Sequence, residues 1–351
     1  MLAGQNNLEL NTLCHRAYNS IKSKKNSKKN YIKLCELWGS DFRTFSTKKK
    51  ISNFYHEINK LINSSELKNK NFLFFTKKKY SKKNIINLSE NENYLYYQNS
   101  RCSLTLNKKK GLTIDSFVSN STSKEKLFGA IKQGFFNNSV FESDFFTSHY
   151  TLLNKKNLKR FSGLEENKVN YFSKKNFLIF RVLHKIDNKA QCDKEIILNK
   201  DKPELIVNYR FKNLISSYLR LNFITFNPEN FDKKKIFIES HLGGKKPERF
   251  YLKDKNFNHG SFVENVGSLV TNNNSISATN GKIIVGDNKK EIHFTINQNL
   301  SCLVPMIEYE KKKNSYLLRL FFSAKESDET NSEVFFKNLD ASIKINIKNK
   351  L

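Results

Sequence analysis

From about residue 93 onward the sequence is cut into short apolar runs, and this limits the fold more than any other feature. The runs include YLYY (94–97), LTIDSFV (112–118), NFLIFRVL (176–183), KEIILN (194–199), ELIVNYRF (204–211), YLRLNFITF (218–226), KIFIES (235–240), GKIIVG (281–286), EIHFTI (291–296) and SYLLRLFFSA (315–324). They are rich in β-branched and aromatic residues, and each ends in a cluster of Asn, Gly, Asp or Lys. Runs of strand length at this spacing predict many short antiparallel strands in a large sandwich. No self-similar repeat of about 20–50 residues appears, which speaks against a propeller or solenoid. Alternation within ELIVNYRF puts Leu205, Val207, Tyr209 and Phe211 on one face and Ile206, Asn208 and Arg210 on the other. That pattern predicts a half-buried strand whose polar side is wet. Pro228 and Pro305 are expected at sheet edges or bulges. The Gly243–Gly244 pair is expected at a turn that needs positive φ.

Residues 1–70 read differently. They contain no Pro, and Leu8, Leu13 and Tyr18 recur at loosely helical spacing, as do Ile32, Cys35 and Leu37–Trp38. Thr47 is placed to cap a third helix carrying Phe54, Tyr55, Ile58, Leu61 and Ile62. The expected organisation is a helical segment over 1–70, a Lys/Asn-rich linker over 71–92 and a β-sandwich domain over 93–351. The fold class is therefore mainly β, a large antiparallel β-sandwich preceded by a small α-helical bundle.

Composition narrows the function classes. The 351 residues are 38% hydrophobic, with 30 Phe and 14 Tyr, ample for a packed core. The net charge of +29 suggests a polyanion partner. Only nine of the 62 basic residues are Arg, however, and nucleic-acid sites lean on Arg for bidentate contacts. Lys, Asn, Ile and Phe are abundant together, as AT-rich coding would give, and no nucleic-acid motif is present. Cys14, Cys35, Cys102, Cys192 and Cys302 are odd in number and form no CxxC pair, so neither a disulfide framework nor a zinc site is expected. They read as buried free thiols of a reducing cytoplasm. No apolar run is long enough to span a membrane, and no signal peptide is evident at the first residues. No cofactor and no metal is called for. The acidic cluster of Glu326, Asp328 and Glu329 does not fix the oxygen ligands that Ca²⁺ needs.

Four stretches in order carry a resemblance. The first is LAGQNNLELNTLCHRAYN (2–19), and the second is YIKLCELWGSDFRTFSTKKK (31–50). The third is GAIKQGFFNNSVFESDFFTSHYTLL (129–153), with Asp144 near His149. The fourth runs over 218–330 and contains LNFITFNPENFD, HLGGKKPERFYL, NHG, TNGKIIVGD, CLVPMIEY and LRLFFSAKESDET. Together they resemble the C-terminal portion of glycoside hydrolase family 57, enzymes of the α-amylase and α-glucanotransferase kind. The resemblance implies post-barrel helices lining a sugar cleft, then a β-sandwich. It implies that Gln5, Asn6, Asn7 and Glu9 contact sugar hydroxyls, which amides and carboxylates satisfy as donors and acceptors. Trp38 could stack on a pyranose face, but the expected role is mixed: Trp38 packs, while Asp41 and Arg43 fix a helix turn near the cleft.

In that family two carboxylates on a (β/α) barrel do retaining chemistry. The barrel precedes the helical segment, so no catalytic pair carries over to this chain. The expectation is thus a truncated or split form that acts on or binds α-glucans, its partners being a polysaccharide or oligosaccharide and a separate catalytic-barrel polypeptide. The alternatives are a stand-alone carbohydrate-binding module and a Lys-rich polyanion binder. His149 reads as a structural histidine, because acid/base work belongs to the barrel.

Overall fold

The computed structural model describes residues 6–22, 28–43, 47–62, 85–131, 146–154, 159–252, 278–311, 315–326 and 333–350. Three helices come first: α1 (Asn7–Lys22), α2 (Lys28–Trp38) and α3 (Lys48–Leu61), with a 3-10 turn at Ser40–Phe42. Their buried residues follow helical spacing: Leu10, Cys14, Ala17 and Ile21 on α1, Leu34 and Leu37 on α2, and Phe54, Ile58 and Leu61 on α3. These side chains close one small core of their own. Thr47 caps α3 as expected, its hydroxyl accepting from the Lys50 amide at 3.2 Å.

Antiparallel strands in three sheets follow. The first sheet holds β1 (Leu88–Glu90), β2 (Tyr94–Gln98), β3 (Cys102–Asn107), β4 (Thr113–Ser119) and β5 (Phe128–Gly129), in sequence order. Its first strand falls within the stretch read from sequence as a linker. Next in the chain come β6 (Tyr150–Asn154), β7 (Lys159–Phe161), β8 (Val169–Lys174), β9 (Phe177–Lys185), β10 (Gln191–Asn199), β11 (Glu204–Ser216) and β12 (Tyr218–Thr225). The last are β13 (Phe237–Ser240), β14 (Glu248–Tyr251), β15 (Lys282–Gly286), β16 (Lys290–Ile296), β17 (Val304–Lys311), β18 (Tyr316–Lys325) and β19 (Val334–Asn349). A nine-stranded sheet runs β14-β13-β15-β16-β19-β11-β10-β9-β8, and a five-stranded one runs β17-β18-β12-β6-β7. The protein is mainly β, with the helices at its N-terminal side.

One core joins the three sheets. Leu178, Phe180 and Val182 of β9, Ile196 and Leu198 of β10, and Leu205, Val207, Tyr209 and Phe211 of β11 face inward. They meet Leu104, Leu106, Ile114 and Phe117 from the first sheet and Leu219, Leu221, Leu318, Leu320 and Phe322 from the third. Each such buried side chain contributes roughly 1.5–3 kcal/mol against leaving it in water. Pro305 sits in β17, the edge strand of its sheet, the place where a proline is best tolerated. Pro228 opens a 3-10 turn just after β12. Gly243 follows β13 with φ 96°, the turn expected of it.

Three sequence expectations need correction or qualification. The outer face of β11 is not simply wet. Arg181, Glu195, Asn208 and Ser342 form one cross-strand row over β9, β10, β11 and β19, and Asn208 and Glu195 in its middle are fully buried. The Asn208 amide donates to Glu195, Arg181 lies 3.9 Å from Glu195 and pairs with Asp193, and Arg210 pairs with Asp340 at 2.8 Å. Flanking charges thus cover the row, so polar residues there are shielded by one another rather than by water. The cysteines are not all buried: Cys14, Cys102 and Cys192 are, Cys302 is half-buried, and Cys35 is exposed on the outer side of α2. The acidic cluster near 326 resolves at Glu326 only, which forms a fork with Arg220 at 2.8 and 2.9 Å; Asp328 and Glu329 lie outside the described residues.

The interior also contains a lysine. Lys194 is fully buried, and its ammonium nitrogen donates to the carbonyls of Gly111 (3.2 Å) and Leu112 (2.9 Å) in the β3–β4 turn. Burial lowers its pKa to about 7. Gly111 and Leu112 both have positive φ, 60° and 56°. A Cβ on Gly111 would lie 1.8 Å from the carbonyl oxygen of Gly163, so no other residue fits.

Candidate functional site

The helical segment is where the candidate binding residues lie, and the structure divides them. Gln5 lies outside the described residues. Asn6 adopts a left-handed backbone (φ 58°), and its carbonyl accepts from the Leu10 amide at 3.0 Å, which starts α1. Asn7 is buried at the first position of α1. Asn11, one turn on and about 40° around the helix from Asn7, points the same way. Glu9 is on nearly the opposite side of the helix, is exposed, and faces Tyr55 of α3. Burial, and after it the Glu9 carboxylate, raise the Tyr55 hydroxyl pKa.

Arg43 is the organising residue. Its guanidinium donates to the Asn11 side chain (3.0 Å) and to the carbonyls of Leu37 (3.3 Å) and Gly39 (2.7 Å), and it touches the Cys14 sulfur at 3.6 Å. The end of α2 and the following turn are thereby pinned to α1. Among the described residues no ion pair joins Arg43 to Asp41, which is exposed on the 3-10 turn. Of the two residues expected to fix this turn, Arg43 holds it through a clamp on backbone carbonyls, while Asp41 stands exposed beside it. Cys14 sits under that clamp, and burial pushes its thiol up to about 11 despite the nearby guanidinium.

Trp38 does not pack as expected: the last residue of α2, it is 38% exposed and takes no part in the helical core. Phe42 fills that place instead, packing on Phe54 with ring centres 5.5 Å apart. The clamped turn therefore presents an indole and, three residues on, a carboxylate. The partners missed from sequence are Asn11, Cys14 and Tyr55. The Asn7–Asn11 spacing of four was the available signal for the first.

The helices are fixed to the sandwich by the loop between β16 and β17. Arg16 donates to the Asn299 carbonyl (2.7 Å), Asn19 to the Asn299 side chain (2.9 Å), and the Cys302 amide to the Thr12 hydroxyl (2.9 Å). Leu8 enters the main core.

His149, the other candidate for chemistry, is 1% exposed and stacks on Phe223 with centres 4.5 Å apart. Burial, then Arg319 and Lys194, hold it well below the usual histidine range. It is a core residue, packed where a structural histidine was expected. Asp144 lies outside the described residues. Among the described residues no group of three or more His, Cys, Asp or Glu is gathered for a metal ion, and no helix is long and apolar enough to cross a membrane.

No family model and no curated sequence matches the chain. Solved structures that align with it include a galactose mutarotase-like protein from Clostridium acetobutylicum, at 11% identity and a TM-score of 0.43, over 73% of this chain and 95% of that one. A 4-α-glucanotransferase from Thermococcus litoralis aligns at 9% identity and 0.39, over 98% of this chain and 50% of that one. A family 36 α-galactosidase from Geobacillus stearothermophilus aligns at 9% and 0.43, over 75% and 41%. The chain spans half or less of the latter two enzymes.

Proposed function

We propose that this chain is the glucan-contacting, non-catalytic part of an α-glucan-active protein resembling glycoside hydrolase family 57, acting with a catalytic barrel supplied from outside these residues. The observation that carries the reading is Trp38. The chain's only tryptophan stands half out of the surface at the end of α2 rather than in either core. An indole there can stack on the C–H face of a glucose unit, and the exposed Asp41 accepts from its hydroxyls. Arg43 contributes indirectly, since its donors are committed to holding the turn. Asn6, exposed at the start of α1, would extend the same wall, whereas Asn7 is buried and would not reach a sugar, and Glu9 belongs to a neighbouring surface beside Tyr55. The order of family-like motifs through residues 2–330 supports the same class of ligand.

The test uses Trp38 itself as the probe. Titrating the protein with maltohexaose should change its tryptophan emission saturably, and glycogen in a native gel should retard it. Trp38→Ala should restore free mobility without altering the thermal unfolding of the protein. Wild-type protein that runs unretarded and shows no emission change would remove the proposal. The barrel half is tested separately, by asking whether a family 57-like barrel binds this chain and gains glucan cleavage or transfer from it.

A further inference from the structure

A second surface of interest lies away from the helices, on the outer side of the first sheet. The run YLYY builds it through its period of two: Leu95 and Tyr97 enter the core, so Tyr94 and Tyr96 point out. Their rings stand side by side, with centres 5.8 Å apart. Tyr96 is 38% exposed, and the Asn91 side chain donates to its hydroxyl at 3.2 Å. Cross-strand pairing carries the same face from Tyr96 to Thr105 of β3, Ser116 of β4 and Gly129 of β5. The neighbouring row on that face is Gln98, Ser103 and Val118. Two tyrosine rings thus border a floor of short side chains.

A β-bulge adds a carboxylate. The β3–β4 register shifts beside Thr105, which leaves Asp115 as the extra residue next to Ser116. Both are partly exposed, where strict alternation would bury one of them. Asp115 is thereby brought to the tyrosine side. Burial, and after it the Asp115 carboxylate, raise the Tyr94 hydroxyl pKa. A Cβ on Gly129 would lie 2.1 Å from the Asp115 carbonyl oxygen, so only glycine lets β5 close against the bulge. Among the described residues no hydrogen bond or ion pair engages the Asp115 carboxylate or the hydroxyls of Ser103, Thr105 and Ser116. Lys126, whose charge reaches Asp115, donates to the Ala130 carbonyl at 2.6 Å. The chain carries +29, yet none of the outward side chains of β2, β3 and β4 is Lys or Arg.

The geometry points to this face as a binding site for an extended, uncharged glycan, a chain of β-linked hexopyranoses. The C–H faces of its sugars would lie on Tyr94 and Tyr96, and its hydroxyls, donors and acceptors at once, would meet Thr105, Ser116 and Asp115. Charge selects this occupant. A nucleic acid or other polyanion needs the cations that this face lacks. A protein partner needs a well-packed apolar anchor, and beside the two rings the only apolar outward side chain is Val118. Shape selects the linkage. β-Linked chains run as flat ribbons whose advance per sugar is close to the ring spacing, whereas α-linked chains curl away from an open sheet. The inference is independent of the α-glucan reading, since it uses none of the helical residues and a different linkage.

The experiment is native gel electrophoresis of the full chain through a soluble mixed-linkage β-glucan. Saturable retardation is expected, with affinity falling about tenfold or more in Tyr94→Ala/Tyr96→Ala. Thr105→Lys fills the floor and leaves both rings in place. It should weaken retardation as well, which keeps the test decisive should the double variant unfold. Added salt should change nothing, because no charge is neutralised. Trp38→Ala should run as the wild type in β-glucan, and the tyrosine variants as the wild type in glycogen, so the two readings fail separately. Three results would overturn the proposal. One is wild-type protein that β-glucan does not retard. Another is equal retardation of the wild type and both variants. The third is tyrosine-dependent retardation by dextran sulfate in preference to the neutral polymer.

Discussion

Lys194→Met isolates the effect of a buried amine on stability. Folded, Lys194 has a pKa of about 7; unfolded, it returns to 10.5. Between those values the unfolded chain holds a proton that the folded chain has released. The unfolded state binds more protons, so stability must climb as pH rises through this window. The full slope is about 1.4 kcal/mol per pH unit, and its sum over the window has a ceiling of roughly 4–5 kcal/mol. Methionine keeps the length and removes the titration. It also leaves the Gly111 and Leu112 carbonyls without their donor, at about 1–3 kcal/mol each, so the absolute offset between the proteins is not diagnostic. The difference in slope is. Urea unfolding under reducing conditions at about pH 7, 8 and 9, at constant ionic strength, gives both stabilities, and subtraction cancels the other titrating groups. The wild type should gain on the variant by about 1 kcal/mol or more per pH unit. Parallel curves would refute the reasoning and place the Lys194 ammonium in contact with water or a counter-charge.

Further outcomes follow from the same structure. His184 is buried, and burial followed by the Lys194 charge depresses it to about 3. Its contribution is complete above the unfolded histidine pKa and is lost as pH falls toward 3. His184→Phe should therefore resist acid better than the wild type, by about 2 kcal/mol at pH 5 in acid titrations followed by circular dichroism. Gly111→Ala sets a Cβ against the Gly163 carbonyl oxygen at a left-handed position, and should yield little folded protein or a markedly lowered Tm. Thr47→Ala removes the cap of α3 and should cost about 1 kcal/mol in thermal unfolding, with the β-sheet core unchanged.

The runs from residue 93 were legible because half of each strand faces a single large core, so period-two patterning survives heavy Lys and Asn content. Every run quoted from the sequence falls on a strand. The strands that escaped are those whose alternation is split between short apolar and charged residues. In β19, Ala341, Ile343, Ile345 and Ile347 face in while Lys344, Asn346 and Lys348 face out, and no continuous apolar run announces it. In the helical segment the sequence offered candidate residues but not their pairings. Arg43 stands two positions from Asp41, yet its guanidinium turns toward Asn11 and the ends of α2, a choice made by tertiary packing. Lys194 begins an apolar run and reads as an ordinary strand-end lysine. Only the approach of the β3–β4 turn, more than 80 residues away in sequence, makes it interior.

The link between Thr12 and Cys302 spans 290 positions. On a ribosome adding roughly 5–20 residues per second, α1 emerges some 15–60 seconds before the loop that receives it. During that interval the three helices can close their own small core, but Leu8 and the Thr12 face have no seat. The strand that completes the middle of the nine-stranded sheet is also the last to be made, since β19 lies between β11 and β16. Synthesis order thus leaves two half-sheets and a helical cluster waiting for the final stretch of chain. The nascent protein should depend on a holdase, or on slow unfolding once complete, more than its final packing suggests.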